Sequence, residues 1–132
     1  MIGRRAELKL LFDPEERRSK RTGRPFTLVR VAPPVRASDP AEIERLRAAV
    51  ASELRSTDLV RALAGEVVAV LLEASPVQAA APVGRIRTAL ERVALGFEPR
   101  LGWASVGPGQ RGSWQEAWRW AGALLLAQPA AA

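Results

Sequence analysis

The spacing of apolar positions divides the chain into helical and extended segments. Ile43, Leu46, Val50 and Leu54 recur at intervals of three and four residues, and this spacing predicts a helix that buries one face. Short β-branched and apolar runs, bounded by proline or glycine, predict strands instead. The predicted helices cover residues 4–12, 14–22, 41–55, 76–93 and 113–128, and the predicted strands cover 25–31, 59–62, 67–72 and 100–106.

Capping and turn residues mark where these segments begin and end. Asp13-Pro14 and Asp39-Pro40 each place a side-chain acceptor before a proline, which is the pattern of a helix N-terminus. We therefore expect a break between two helices at Asp13. Residues 63–66 lie between two predicted strands and predict a hairpin turn. This order of elements predicts one domain of the α+β (α/β) class, with helices packed over a mixed sheet.

Composition limits the chemistry that the chain can perform. Its 132 residues fit one domain, and they include no cysteine and no histidine. These absences exclude disulfides, thiolate zinc sites and a Ser-His-Asp triad, and we expect no metal and no cofactor. No apolar run reaches the ~20 residues of a membrane span, and the first residues lack the apolar core of a secretory leader. We expect a cytoplasmic protein without a membrane partner.

The formal net charge is +6 and is carried mostly by arginine. Five basic residues, Arg17, Arg18, Lys20, Arg21 and Arg24, form a cluster near the N-terminus. Such a cluster is compatible with nucleic-acid binding. No nucleic-acid recognition motif accompanies the charge, so we do not expect a nucleic-acid partner. A solvated basic surface is the simpler interpretation.

Three of the four tryptophans, Trp114, Trp118 and Trp120, lie on the predicted C-terminal helix, and Trp103 lies on a strand. Trp114 and Trp118 are four residues apart and share a helix face. We expect them to pack against the sheet. The alternative is an exposed anchor for a protein partner.

Several strings of the sequence, in order, resemble the GGDEF (diguanylate cyclase) domain. GRPFTLVRV is similar to the family's first strand, and ELRSTDLVRALAGEVVAVLL is similar to its central segment around the GGDEF hairpin. VGRIRTALERV, RLGWAS and WAGALLLAQ follow in the family's order. The resemblance covers residues 17–128. It implies a lead-in over 1–24, a GGDEF-like domain over 25–128 and a tail over 129–132.

The departures from the family pattern concern its active site. The GGDEF positions are Ala64, Gly65, Glu66 and Val67, so the fourth, acidic position holds valine. Ala32 stands where the resemblance implies a metal-binding aspartate, and Gln128 replaces a lysine that contacts phosphate. Because Glu66 alone cannot hold two divalent cations, the resemblance implies a degenerate, inactive domain without catalytic residues. An exposed turn acid is the preferred interpretation of Glu66.

A second site of the family, for the product cyclic di-GMP, is matched in register. Its R-x-x-D motif corresponds to Arg55 and Asp58, five residues before the hairpin, and a further arginine corresponds to Arg85. Arginine recognises the O6/N7 edge of guanine, and a carboxylate accepts its N–H groups. The spacing alone is not specific, because residues 36–39 also fit R-x-x-D. The alternative is that Asp58 caps a turn and binds no ligand.

Two functional hypotheses follow from these residues. The first is a regulatory effector that binds cyclic di-GMP through Arg55, Asp58 and Arg85. The second is a ligand-free module that forms a homodimer or docks on a protein partner.

Overall fold

The computed structural model describes residues 3–33, 39–63, 65–93 and 95–128. Within these ranges the helices and strands alternate in nearly the predicted order. The elements are α1 (Arg4–Thr22), β1 (Phe26–Ala32), α2 (Pro40–Ala51), β2 (Leu59–Leu63), β3 (Glu66–Leu71), α3 (Pro76–Glu91), β4 (Arg100–Val106) and α4 (Trp114–Ala127).

The described strands form one four-stranded sheet in the order β2-β3-β1-β4. The three strand pairings are antiparallel, so the sheet differs in this respect from the mixed sheet expected above. The predicted α+β class is confirmed. The segments containing Val29, Leu59, Val68 and Leu101 belong to the same sheet, as predicted.

Helices cover both faces of the sheet and create two apolar cores. Val29 and Val31 of β1 point toward α2 and α3, where they meet Leu46 and Ile86. Phe26 and Leu28 point to the opposite face, which is covered by α1 and α4. This arrangement follows from the period-2 alternation of side chains along a strand.

The first helix is the main correction to the predicted elements. Instead of a break at Asp13, α1 runs continuously through Pro14. Asp13 and Glu16 serve α4 instead: Asp13 Oδ1 accepts a hydrogen bond from Trp114 Nε1 at 2.7 Å, and Glu16 Oε1 accepts one from the Trp114 backbone N–H at 2.7 Å. Phe12 is fully buried and stacks on Trp114, so tertiary packing holds the helix together across the proline.

The other predicted boundaries need smaller changes. The N-cap at Asp39 is confirmed, because its side chain accepts from the Ala41 backbone N–H at 2.9 Å. The helices predicted over 41–55 and 76–93 end earlier than expected, at Ala51 and Glu91. The hairpin turn is confirmed on its described side, where Gly65 adopts φ +82°. The predicted tail over 129–132 lies outside the described residues.

Candidate functional site

Arg55 and Asp58 form a tight turn between α2 and β2. Asp58 Oδ1 accepts hydrogen bonds from Arg55 Nη2 and from the Leu72 backbone N–H, each at 3.1 Å. Its Oδ2 accepts from the Arg55 backbone N–H at 3.1 Å and from Arg55 Nε at 3.3 Å. The carboxylate therefore holds the turn, the arginine and the end of β3 together.

The two members of this pair differ in their access to solvent. The Asp58 side chain is 4% exposed, whereas the Arg55 side chain is 63% exposed. The hydrogen bond that Arg55 donates to the Asp58 carboxylate raises the pKa of the Arg55 guanidinium above its ordinary value, so the group stays cationic. Arg55 Nη2 also donates to the Leu72 carbonyl oxygen at 2.7 Å. The turn thus presents a positioned guanidinium to solvent.

Arg85 lies on α3 and is connected to the same loop through Glu53. Its Nε lies 3.8 Å from Glu53 Oε2, and its side chain is 55% exposed. Glu53, Arg85 and Arg92 line a shallow cavity of about 440 Å³ beside this loop. The structure therefore places Arg85 beside Glu53, two residues before Arg55, whereas Arg55 and Asp58 do not line this cavity.

The retained acid of the hairpin, Glu66, is buried, which corrects the expectation of an exposed turn acid. Only 9% of its side chain is exposed. Arg30 Nε and Nη2 donate to its two carboxylate oxygens at 2.8 and 3.0 Å, and Arg4 Nη2 donates to Oε2 at 3.0 Å. Glu66 is therefore neutralised by two arginines from α1 and β1.

Trp118 completes this ion-pair cluster from α4. The Arg30 guanidinium carbon lies 3.7 Å from the centre of its ring, and Arg30 Nη1 donates to the Trp118 carbonyl oxygen at 3.0 Å. Sequence reasoning assigned no role to Arg30 or Arg4. The sequence does carry a signal for Arg30, which is the one charged residue in the apolar strand FTLVRVA. A charge in a buried strand needs a partner, so its position indicates an ion pair.

Two of the remaining GGDEF-like positions, Ala32 and Val67, lie at this end of the sheet. Ala32 ends β1, and Val67 is fully buried in β3. Ala64 lies outside the described residues. Gln128 pairs with the backbone of β4, since its side-chain oxygen accepts from the Leu101 N–H at 3.1 Å. Within the described ranges, no group of three acidic side chains is arranged to hold a metal ion.

The packing of the tryptophans agrees with the preferred expectation for three of the four. Trp114 is buried, and Trp103 and Trp118 are half-buried against the cores. Trp120 is exposed, and Arg111 lies 4.3 Å above its ring. No helix of the described residues is both long and apolar enough to cross a membrane.

Comparison with known proteins identifies the fold, although the sequence matches no protein-family profile and no curated protein. The diguanylate cyclase SiaD from Pseudomonas aeruginosa, solved with its activator SiaC, superposes with a TM-score of 0.68 at 22% identity, over 93% of this chain and 53% of SiaD. This chain therefore spans about half of the length of SiaD. The active GGEEF domain of a Vibrio cholerae diguanylate cyclase superposes with a TM-score of 0.67 at 14% identity, over 85% of this chain and 81% of that domain.

A third similar structure concerns a ligand. It describes the interaction between a microbial GGDEF domain and cyclic di-GMP, and it superposes with a TM-score of 0.60 at 20% identity, over 91% of this chain and 82% of that domain. Together these structures confirm a GGDEF-like fold.

The same comparisons correct one prediction. Ala32 and Val67 led to the prediction that this chain is not an enzyme, and this prediction was wrong. Chains of this fold are described as diguanylate cyclases, and one of them is described as active. The two replaced acids are therefore not sufficient grounds to exclude activity.

Proposed function

We propose that this GGDEF-like domain binds cyclic di-GMP at the surface formed by the α2–β2 turn and α3. One observation carries the proposal: Asp58 holds the guanidinium of Arg55 in place, yet leaves 63% of that side chain exposed. Arg85 stands beside the same loop, half exposed. A similar fold that interacts with cyclic di-GMP supports this choice of ligand.

The chemistry assigns a different role to each residue. Arg55 and Arg85 present planar, permanently charged donors that suit the O6/N7 edge of guanine or a phosphate oxygen. Asp58 already accepts four hydrogen bonds. For Asp58 to accept the guanine N–H donors, Arg55 must release its side-chain bonds and turn toward the ligand. The bond from the Leu72 N–H to Asp58 does not involve the Arg55 side chain, so this change does not require it to break.

The test is calorimetric titration of cyclic di-GMP into the protein and its variants. Losing one charged hydrogen-bond partner costs ~1.5–3 kcal/mol, which corresponds to roughly tenfold to hundredfold weaker binding. We expect Arg55→Ala, Asp58→Ala and Arg85→Ala each to weaken binding by about this factor. Absence of heat from the parent protein at high micromolar ligand would refute the proposal.

Arg87→Ala is the matched control. Arg87 lies on α3 two residues from Arg85, but it lines a different cavity with Leu95 and Phe97. Its loss leaves the affinity unchanged if the ligand lies where we propose. Asp39→Ala is a second control, because Asp39 also ends an R-x-x-D string but caps α2. Equal loss of affinity in a control variant and in Arg55→Ala would point to a nonspecific charge effect.

A protein partner is the second candidate, and it is favoured by apolar exposure on α4. Trp120 is 51% exposed, and Leu126 is 81% exposed. The similar SiaD was solved with an activator protein. Self-association measured by analytical ultracentrifugation tests the homodimer form of this proposal, with Leu126→Ser as the variant that should abolish it. We propose that the protein is cytoplasmic.

The predicted division at residue 24 also stays a proposal. Leu8 and Phe12 of α1 are buried in the same core as Phe26 and Trp114. We therefore propose that the lead-in folds together with the domain rather than before it.

A further inference from the structure

Another cavity, separate from the Arg55 turn, lies between the end of β1, the start of β4 and α4. Its volume is about 500 Å³. Among the residues that the structure describes, its charged lining side chains are all arginines: Arg30, Arg100 and Arg119. The cavity therefore carries a positive potential, and that potential attracts anions.

The three arginines are not equivalent. Arg30 is 11% exposed, and its charge is balanced by Glu66. Arg100 and Arg119 form no ion pair with any acidic residue in the described ranges. Arg119 is exposed and Arg100 is half-buried. Arg100 and Arg119 are therefore the donors available to an incoming anion.

The rest of the lining is largely apolar. Leu125, Leu126 and Trp118 belong to it. Arg30 already occupies a face of the Trp118 ring, 3.7 Å from its centre, so stacking of a flat ligand on that face is blocked. Leu126 is 81% exposed, so covering its side chain removes the most apolar surface from water. These contacts suit a flexible hydrocarbon body better than a flat aromatic one.

We propose that this cavity binds an amphipathic organic anion. Arg100 and Arg119 contact its carboxylate or phosphate, and its aliphatic body covers the exposed side chain of Leu126. A pocket with apolar walls and a few convergent polar groups is the usual form of a small-molecule site. Arginine suits both head groups, because its fork matches the oxygens of a carboxylate and of a phosphate.

The experiment titrates octanoate and octyl phosphate separately and follows the indole N–H signal of Trp118 by NMR. We expect saturable shifts with both probes, and the tighter probe identifies the preferred head group. Arg100→Gln and Arg119→Gln should each weaken binding by roughly tenfold to hundredfold. Arg119→Glu, on an exposed helix position, provides a second variant if Arg100→Gln does not fold.

Controls separate the two halves of the proposal. Arg111→Gln removes an arginine that lies over Trp120 outside the cavity, and the affinity should not change. Inorganic phosphate tests the hydrocarbon contribution, and 1-octanol tests the charge. If inorganic phosphate or 1-octanol binds as tightly as octyl phosphate, the ligand need not be amphipathic and that part of the proposal is wrong. If neither octanoate nor octyl phosphate gives a saturable shift, the proposed site does not exist. Cyclic di-GMP binding at Arg55 is measured by different variants and does not affect these outcomes.

Discussion

Replacement of Glu66 by alanine should destabilise the fold far more than the loss of an exposed ion pair of similar geometry. Arg30 is 11% exposed and loses its bidentate partner in Glu66→Ala. Removing one member of a buried pair leaves an uncompensated charge, at a cost of ~3–5 kcal/mol. Arg30 keeps its contacts with the ring and carbonyl oxygen of Trp118, so we expect about 3 kcal/mol, the lower end of this range.

Two comparisons isolate burial as the cause. Glu44 and Arg47 form an equally close bidentate pair, at 2.6 and 2.8 Å, on the exposed surface of α2. Glu44→Ala should leave the unfolding midpoint unchanged, because solvent screens that pair. Arg4 is 40% exposed, and Arg4→Ala should cost only about 0.2–1 kcal/mol.

The assay is urea unfolding followed by circular dichroism, with the free energy obtained from the midpoint and slope. The double variant Arg30→Met with Glu66→Leu removes both charges and should recover most of the loss, since a buried pair replaced by apolar groups is often neutral. Unfolding of Glu66→Ala at the midpoint of Glu44→Ala would show that burial of the pair does not set its cost. A double variant less stable than Glu66→Ala would show the same.

Two further predictions concern backbone packing and helix capping. Gly102→Ala should destabilise the fold by about 1–3 kcal/mol, because a Cβ there would overlap the Ala121 carbonyl oxygen of α4. Gly84→Ala is the control, since it has open space around it on α3 and should stabilise the fold by about 0.5–1 kcal/mol. Thermal unfolding distinguishes the two variants, and equal melting temperatures would contradict the predicted overlap. Ser75→Ala removes the capping box that Ser75 forms with Gln78 and should cost about 1 kcal/mol, measured by urea unfolding, while Ser56→Ala in the α2–β2 turn is the control without a helix cap.

Local sequence patterns were sufficient to predict most of the elements. The spacing of Ile43, Leu46 and Val50 identified the buried face of α2, and the Asp39 cap identified its start. Strand β4 was predicted with the bounds that the structure has. These features depend on neighbouring residues, which is why a single sequence contains them. The GGDEF-like fold was also recognisable, because several short strings occur in the family's order.

The environment of the functional groups was decided by tertiary structure. Glu66 stands 36 positions from Arg30 and 62 from Arg4, and no local pattern indicates that they meet. Their contact depends on the register of β1 with β3 and on the placement of α1 over that face. Likewise, α1 continues through Pro14 because Phe12 is buried against Trp114.

The R-x-x-D pair illustrates the same division. The sequence alone determined that Arg55 and Asp58 are three residues apart near the end of a helix. Only the folded chain determined that the Asp58 carboxylate is 4% exposed and bonded to the Leu72 N–H, while Arg55 extends into solvent. Residue spacing specifies which groups are neighbours along the chain, but burial depends on strands and helices brought together from distant positions.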